Sequence, residues 1–207
     1  MPPKAKFTKE EIIEAALDVV REKGIEALTA RSLAQRLKSS AQPVFTVCKN
    51  MEEVQEGVKE SARRVFNSYI REALTYTPAF KQMGIMMVRF ATKEPKLFQL
   101  LFMWEKEQAK EAGEPTRQLG DLMDLYLEES CIEILQKEYA LNEEEVHALF
   151  EQVWIFTFGV GLLCATHTCH FTEEELEELL GREFLSMIMY IKAGKLKEKT
   201  PHPVKDN

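Results

Sequence analysis

Four times along the chain a Thr or Asn stands three residues ahead of a Glu, directly in front of an apolar run. The pairs are Thr8 with Glu11, Asn50 with Glu53, Asn142 with Glu145, and Thr172 with Glu175. At this spacing the first side-chain oxygen takes the N–H three residues on, and the Glu carboxylate reaches back to the first residue's own N–H. Two backbone donors that a helix start leaves without partners are thereby satisfied. Each pair is read as a helix start, and the residues behind each one recur with the period of 3.6 that puts them on one face. Behind Thr8 these are Ile12, Ile13, Ala16, Leu17 and Val20; behind Asn50, Val54, Val58, Val65, Phe66, Tyr69 and Ile70. No stretch alternates apolar and polar residues as a half-buried strand would, so the chain is predicted to be all-α.

Between the first two boxes, residues 28–50 read as two short helices joined by a polar turn. Thr29 caps a helix with the apolar face Leu33, Ala34 and Leu37, and Lys38-Ser39 makes the turn. Ser40 is expected to cap a second helix carrying Val44, Phe45, Val47 and Cys48, with Pro43 in its first turn, where a missing N–H costs nothing. Two helices this short need neighbours to hold them. The Thr8 helix, stopped at Gly24 with Ile25 making the hydrophobic contact of a Schellman stop, supplies one, and the Asn50 helix the other. Further helices are expected from Pro78 over Phe80, Met83, Met86, Met87 and Phe90, and from Pro95 over Leu97, Phe98, Leu101, Phe102 and Trp104. After a Gly113-Glu114-Pro115 loop, Leu119, Leu122, Met123, Tyr126, Leu127, Ile132 and Leu135 mark another to about Tyr139. The Asn142 box opens one to about Thr168, and the Thr172 box one to about Ala193, stopped by Gly194. That makes nine helices. The reading divides the chain into a helix-turn-helix head at 1–49, a helical body at 50–193 and a disordered tail at 194–207.

The 207 residues suffice for a small head on a larger core, and a net charge of −7 excludes one large polyanion-binding surface. The charge is uneven: residues 1–50 hold nine Lys/Arg and six acids, a net +3, which leaves −10 on the remainder. A basic head on an acidic body fits a small nucleic-acid contact, although a solvated charged face gives the same count. Four scattered cysteines do not make a disulfide framework. The N-terminus has no apolar h-region, so reduced thiols in a cytoplasm are expected. The uncharged stretch 153–171 is broken by Gly159, Gly161, His167 and His170; it is read as a buried helix rather than a membrane span.

The run EIIEAALDVVREKGIEALTARSLAQRL at 11–37, continued by PVFTVCKNMEEV at 43–54 and FATKEPKLFQLLF at 90–102, resembles the TetR family of transcriptional regulators. The resemblance covers most of the chain, closely at its start and more loosely after it. It implies a nine-helix fold, a homodimer, a three-helix DNA reader braced by a fourth helix, and a ligand pocket in the body. The chain departs from the family pattern at Lys38, where a glycine is usual. It departs again at Phe45, Val47 and Met51, where Tyr, His and Lys are common. If Lys38 must take a positive φ, a non-glycine there costs roughly 1 kcal/mol.

A reading helix places its N-terminal side chains in the major groove. Gln42 and Thr46 are the polar positions one turn apart there, and Gln can pair with adenine through two hydrogen bonds. Ser39 and Ser40 are candidate phosphate donors, Ser40 otherwise a plain cap; Arg31, Lys38 and Lys49 are candidate electrostatic contacts to a double-stranded operator. The candidate pocket is Met86, Met87, Phe90, Phe98, Leu101, Phe102, Trp104, Trp154 and Phe158, each of which also suits an ordinary core. Its ligand would be a hydrophobic small molecule, because methionine adapts to varied apolar shapes, with His167, Thr157 and Tyr126 as polar anchors. Cys164, His167, Cys169 and His170 resemble a metal set, yet only Cys164 and His167 would share a helix face, and no metal is expected. No cofactor motif or catalytic set stands out, so the chain is not read as an enzyme. The apolar residues of 153–165, with Gly159 and Gly161, and the stripe Leu176, Leu179, Leu180, Phe184, Ile188 and Ile191 suit an isologous four-helix bundle between two copies. The expected function is a ligand-released repressor; the alternative is a helical small-molecule-binding or interaction module whose head no longer grips DNA.

Overall fold

The computed structural model describes residues 6–104, 113 and 129–197. Among them the chain forms nine α-helices and no strand. In order these are α1 Lys9–Lys23, α2 Ala30–Arg36, α3 Gln42–Phe45, α4 Met51–Ala73, α5 Ala79–Lys93, α6 Pro95–Gln99, α7 Glu129–Tyr139, α8 Glu143–Ala165 and α9 Glu173–Lys192. A 3-10 turn at Ile25–Ala27 follows α1, and a π-helical turn at Leu100–Trp104 extends α6. The rest of the expected Leu119 helix and of the Gly113 loop lies outside the described residues.

Three of the four boxes close reciprocally, at Thr8, Asn142 and Thr172. The Asn50 box closes on one side only: Asn50 Oδ1 takes the Glu53 N–H at 3.0 Å, but Glu53 Oε2 takes the Lys49 N–H at 2.7 Å. The other Glu53 oxygen is drawn onto Lys9 Nζ of α1 at 2.5 Å, which turns the carboxylate one residue back along the chain. A further box, unforeseen, joins Thr29 to Ser32 at the start of α2.

Elements end where local geometry allows. Gly24 has φ 86° and ψ 169°, a region open essentially to glycine alone, so α1 stops there. Helix α3 begins at Gln42, not at Ser40. Its N-cap is Ala41, which carries no cap oxygen, so Ser40 is no cap. Only one turn forms before Thr46 Oγ1 donates to Pro43 O at 2.7 Å, a side-chain bond that competes with continuation of the helix. Helix α8 ends at Ala165, three residues earlier than expected. The first part of the expected tail is structured: Lys195–Lys197 make a 3-10 turn, with the Tyr190 hydroxyl donating to Lys195 O and Leu196 packed on the core, and the rest of it lies outside the described residues.

Four residues cannot hold a helix by themselves. Helix α3 is held because Val44 and Cys48 are buried among α1 and α4 residues, each such side chain contributing about 1.5–3 kcal/mol. That core runs without a break from Ile12 of α1 through Val58 and Phe66 of α4 to Phe90 of α5 and Phe98 of α6. Arg21 Nε of α1 donates to Glu94 Oε2, ahead of α6, at 3.0 Å. Head and body thus share one apolar interior. A second cluster gathers Phe80, Leu149 and Phe184 of α5, α8 and α9. Helix α8 is the one helix among the described residues long and apolar enough to cross a membrane, with 44% of its most apolar window buried inside the chain.

Candidate functional site

The turn between α2 and α3 is a Schellman motif. The Lys38 N–H donates to Gln35 O at 3.1 Å and the Ser39 N–H to Ala34 O at 3.0 Å, which puts Lys38 in the left-handed region at φ 48°. Here the chain carries lysine where the resemblance has glycine. The side chain is exposed, as are those of Arg31, Ser40, Gln42, Thr46 and Lys49, while Ser39 is half-buried. All seven sequence-predicted contact residues therefore reach the surface around α2, the turn and α3. Lys6 Nζ donates to Ser39 Oγ at 3.1 Å, so the N-terminal arm adds a cation beside the turn. Phe45 is 43% exposed on α3, an apolar ring among the polar candidates. Behind the head, the Lys49 N–H and then the Lys9 ammonium hold the Glu53 carboxyl below its ordinary range, and burial pushes the Cys48 thiol up.

The body contains an apolar cavity of about 40 Å³ between α4, α5 and α8. Helix α4 contributes Phe66 and Ile70; α5 contributes Phe80, Met83, Gly84 and Met87; α8 contributes Phe150, Val153, Trp154 and Thr157. Of the sequence-predicted pocket, Met87 and Trp154 line this space and the others do not. Phe90, Phe98, Phe102 and Phe158 pack against one another instead, with ring centroids 4.8 Å apart for Phe98 and Phe102 and 5.8 Å for Phe98 and Phe158. Such close edge and tilted contacts make Phe90, Phe98 and Phe102 core, with half-buried Phe158 packed against them. Met86 and Leu101 are buried outside the cavity, and Trp104 lies under Lys59 Nζ at 5.1 Å.

The missed residues follow a pattern the sequence does carry. Positions 80, 83, 84 and 87 of α5 and positions 150, 153, 154 and 157 of α8 have the same i, i+3, i+4, i+7 spacing. Gly84, inside an otherwise bulky helix, marks the place where volume is withheld. Thr157 reaches the cavity as expected of an anchor, whereas Tyr126 lies outside the described residues.

His167 does not join this site. Its N–H donates to Cys164 O at 3.0 Å and the Thr168 N–H to Leu163 O at 2.9 Å, a second Schellman stop, with His167 exposed at φ 56°. The helix has already ended, so Cys164 and His167 share no helical face. They do line, with Cys169 and His170, a surface cleft of about 270 Å³. Among the described residues no three His, Cys, Asp or Glu side chains are placed to hold a metal ion.

The expected close approach through Gly159 and Gly161 divides in two. A Cβ on Gly161 would meet the Phe98 ring at 3.3 Å, inside the chain, while a Cβ on Gly159 would face open space. Around Gly159 the outer faces of α8 and α9 expose Ile155, Leu163, Leu185, Met189 and Tyr190. Compared with known proteins, the chain matches no family model and no curated protein.

Proposed function

We propose that this protein is a DNA-binding transcriptional regulator of TetR-like build, a homodimeric repressor released by a hydrophobic effector. The observation that carries the reading is the α2–turn–α3 unit, held between α1 and α4. It presents Arg31, Lys38, Ser40, Gln42, Thr46 and Lys49 at the surface of the basic end of an acidic chain. Gln42 opens α3, the place from which a reading helix addresses base edges. The lysines and Arg31 supply the phosphate term, each contact adding roughly 0.9 to the slope of log K against log salt.

Release runs through packing. The effector cavity touches Phe66 of α4, and Phe66 packs edge-on against Phe90 at 5.3 Å and Phe102 at 5.4 Å. The same core carries α1 and α3, so a molecule that spreads α4, α5 and α8 tilts the head. Two heads in a dimer bind an operator only when their reading helices stand about 34 Å apart. An effector with differential affinity for the spread form therefore lowers operator affinity.

The test is a fluorescent duplex from the gene's own upstream region, titrated at several salt concentrations. Specific binding with a steep salt slope is expected; equal, weak binding to any duplex would sink the reading. Phe45, exposed on a one-turn α3, favours a second reading, a small-molecule-binding or interaction module whose head does not grip DNA. Under it, Phe45→Tyr, Val47→His and Met51→Lys together create DNA binding that the natural chain lacks.

A further inference from the structure

Thr157 is 2% exposed, and its Oγ1 has no hydrogen-bond partner among the described residues. A valine would fill the same shape without a hydroxyl to desolvate, so an unpartnered Thr here is a net cost to the folded chain. Thr157 lines the cavity between α5 and α8, and its hydroxyl faces Gly84, where an added Cβ would stand 3.3 Å from it. Among the described residues every other side chain lining that space is hydrocarbon, thioether or aromatic, and none carries a charge. Water is a poor occupant, since an ordered buried water takes two to four polar partners and the lining side chains offer this hydroxyl alone apart from the Trp154 indole N–H. The cavity of about 40 Å³ is far below the roughly 300–1,000 Å³ of a drug-sized ligand site, while Met83 and Met87 can rearrange around a thin guest.

We propose that this cavity binds a slender, uncharged apolar molecule with one oxygen, held by a single hydrogen bond to Thr157 Oγ1. An alcohol, ketone or ester fits, because a threonine hydroxyl both donates and accepts. A carboxylate or ammonium does not, because no counter-charge compensates its desolvation. The proposal deepens the regulator reading above and rests on it only in calling the guest an effector.

The test is calorimetric titration of the full chain, without DNA, with hexan-1-ol, hexane and hexanoate at pH 7.5. Hexan-1-ol is expected to lose about fivefold to tenfold in affinity on Thr157→Val, while hexane binds the variant at least as well as wild type. Ligand-free Thr157→Val should melt at a higher temperature, since it loses an unpaired hydroxyl and keeps the shape. Gly84→Ala, which narrows the space facing Thr157, should weaken both neutral probes and decides the matter if Thr157→Val does not fold. Equal changes for alcohol and alkane, hexanoate binding as tightly as the alcohol, no binding of any probe, or no effect of Gly84→Ala would each overturn the proposal. A DNA-release assay separates the two claims. Thr157-dependent binding that leaves the operator bound supports the site and overturns only the effector role. Release by a probe that Thr157→Val does not weaken overturns the anchor and leaves the regulator.

Discussion

Among the described residues three non-glycines take a positive φ, Lys38 at 48°, Ala140 at 50° and His167 at 56°, and two of them, Lys38 and His167, end helices in the same way. Both stand one position past a helix C-cap, in the Schellman slot that glycine fills most cheaply. An L-residue in the left-handed region costs about 1–2 kcal/mol, partly offset because glycine has more freedom to lose on folding. Lys38→Gly is therefore expected to raise stability by roughly 0.5–1 kcal/mol, seen as a higher urea midpoint at unchanged m-value. His167→Gly should do the same. The two differ in function: the Lys38 change also removes a cation beside α3, so the salt slope of operator binding should fall by about 0.9, whereas His167→Gly leaves that slope unchanged. The sequence marked Lys38 as the turn, since Leu37 ends an apolar face and Ser39 follows. It did not mark His167, because the uncharged run from 153 to 171 continues past the true helix end and only the backbone bonds at Cys164 and Leu163 locate the stop.

At the scale of elements, caps decide where helices begin, and the start of α4 shows how a tertiary contact edits one. Glu53 should by local rule bond the Asn50 N–H; its carboxylate takes the Lys49 N–H and the Lys9 ammonium of α1 instead, so the start of α4 is tied to α1. Its carboxyl is held below the ordinary value of 4.5, first by the Lys49 N–H and then by Lys9. A lowered folded pKa means that the contribution is present above the unfolded value and lost as pH falls through the folded one. Stability of the wild type should therefore decline as pH drops below about 4.5, and Glu53→Gln should flatten that decline while lowering stability at neutral pH. Urea unfolding between pH 3 and 7 reads both. Glu173, first residue of α9, is lowered in the same direction by the Arg89 guanidinium of α5, so a residual acid slope persists in Glu53→Gln and shrinks further in the double variant with Glu173→Gln.

For the whole molecule the open question is what covers α8 and α9. Met189 is 71% exposed, Leu185 58% and Ile155 54%, and a Cβ on Gly159 of α8 would face open space. An isologous contact of these faces would bury the apolar side chains and bring two heads to one operator. Leu185→Glu with Met189→Glu should give a monomer by light scattering and cut operator affinity more than tenfold, with helix content unchanged. An unchanged mass would place the interface elsewhere. At this scale one apolar cluster spans the expected division at residue 50, with Val44 on one side and Val58, Phe66 and Phe98 on the other.

The amino-acid sequence by itself determined what depends on near neighbours. The Thr8, Thr29, Asn142 and Thr172 caps act over three residues, and the apolar periods of α1, α4, α5 and α9 assign each a buried face, so the helical class and most boundaries could be read from it. Only the tertiary structure decided which of the many apolar residues leave space. Phe90, Phe98 and Phe102 are as aromatic as Phe66 and Phe150, yet the former close into core while the latter border a cavity. That distinction comes from the mutual placement of α4, α5 and α8, above all Gly84 facing Thr157. No local rule carries it, because a cavity is a property of the atoms missing between helices rather than of any residue along one.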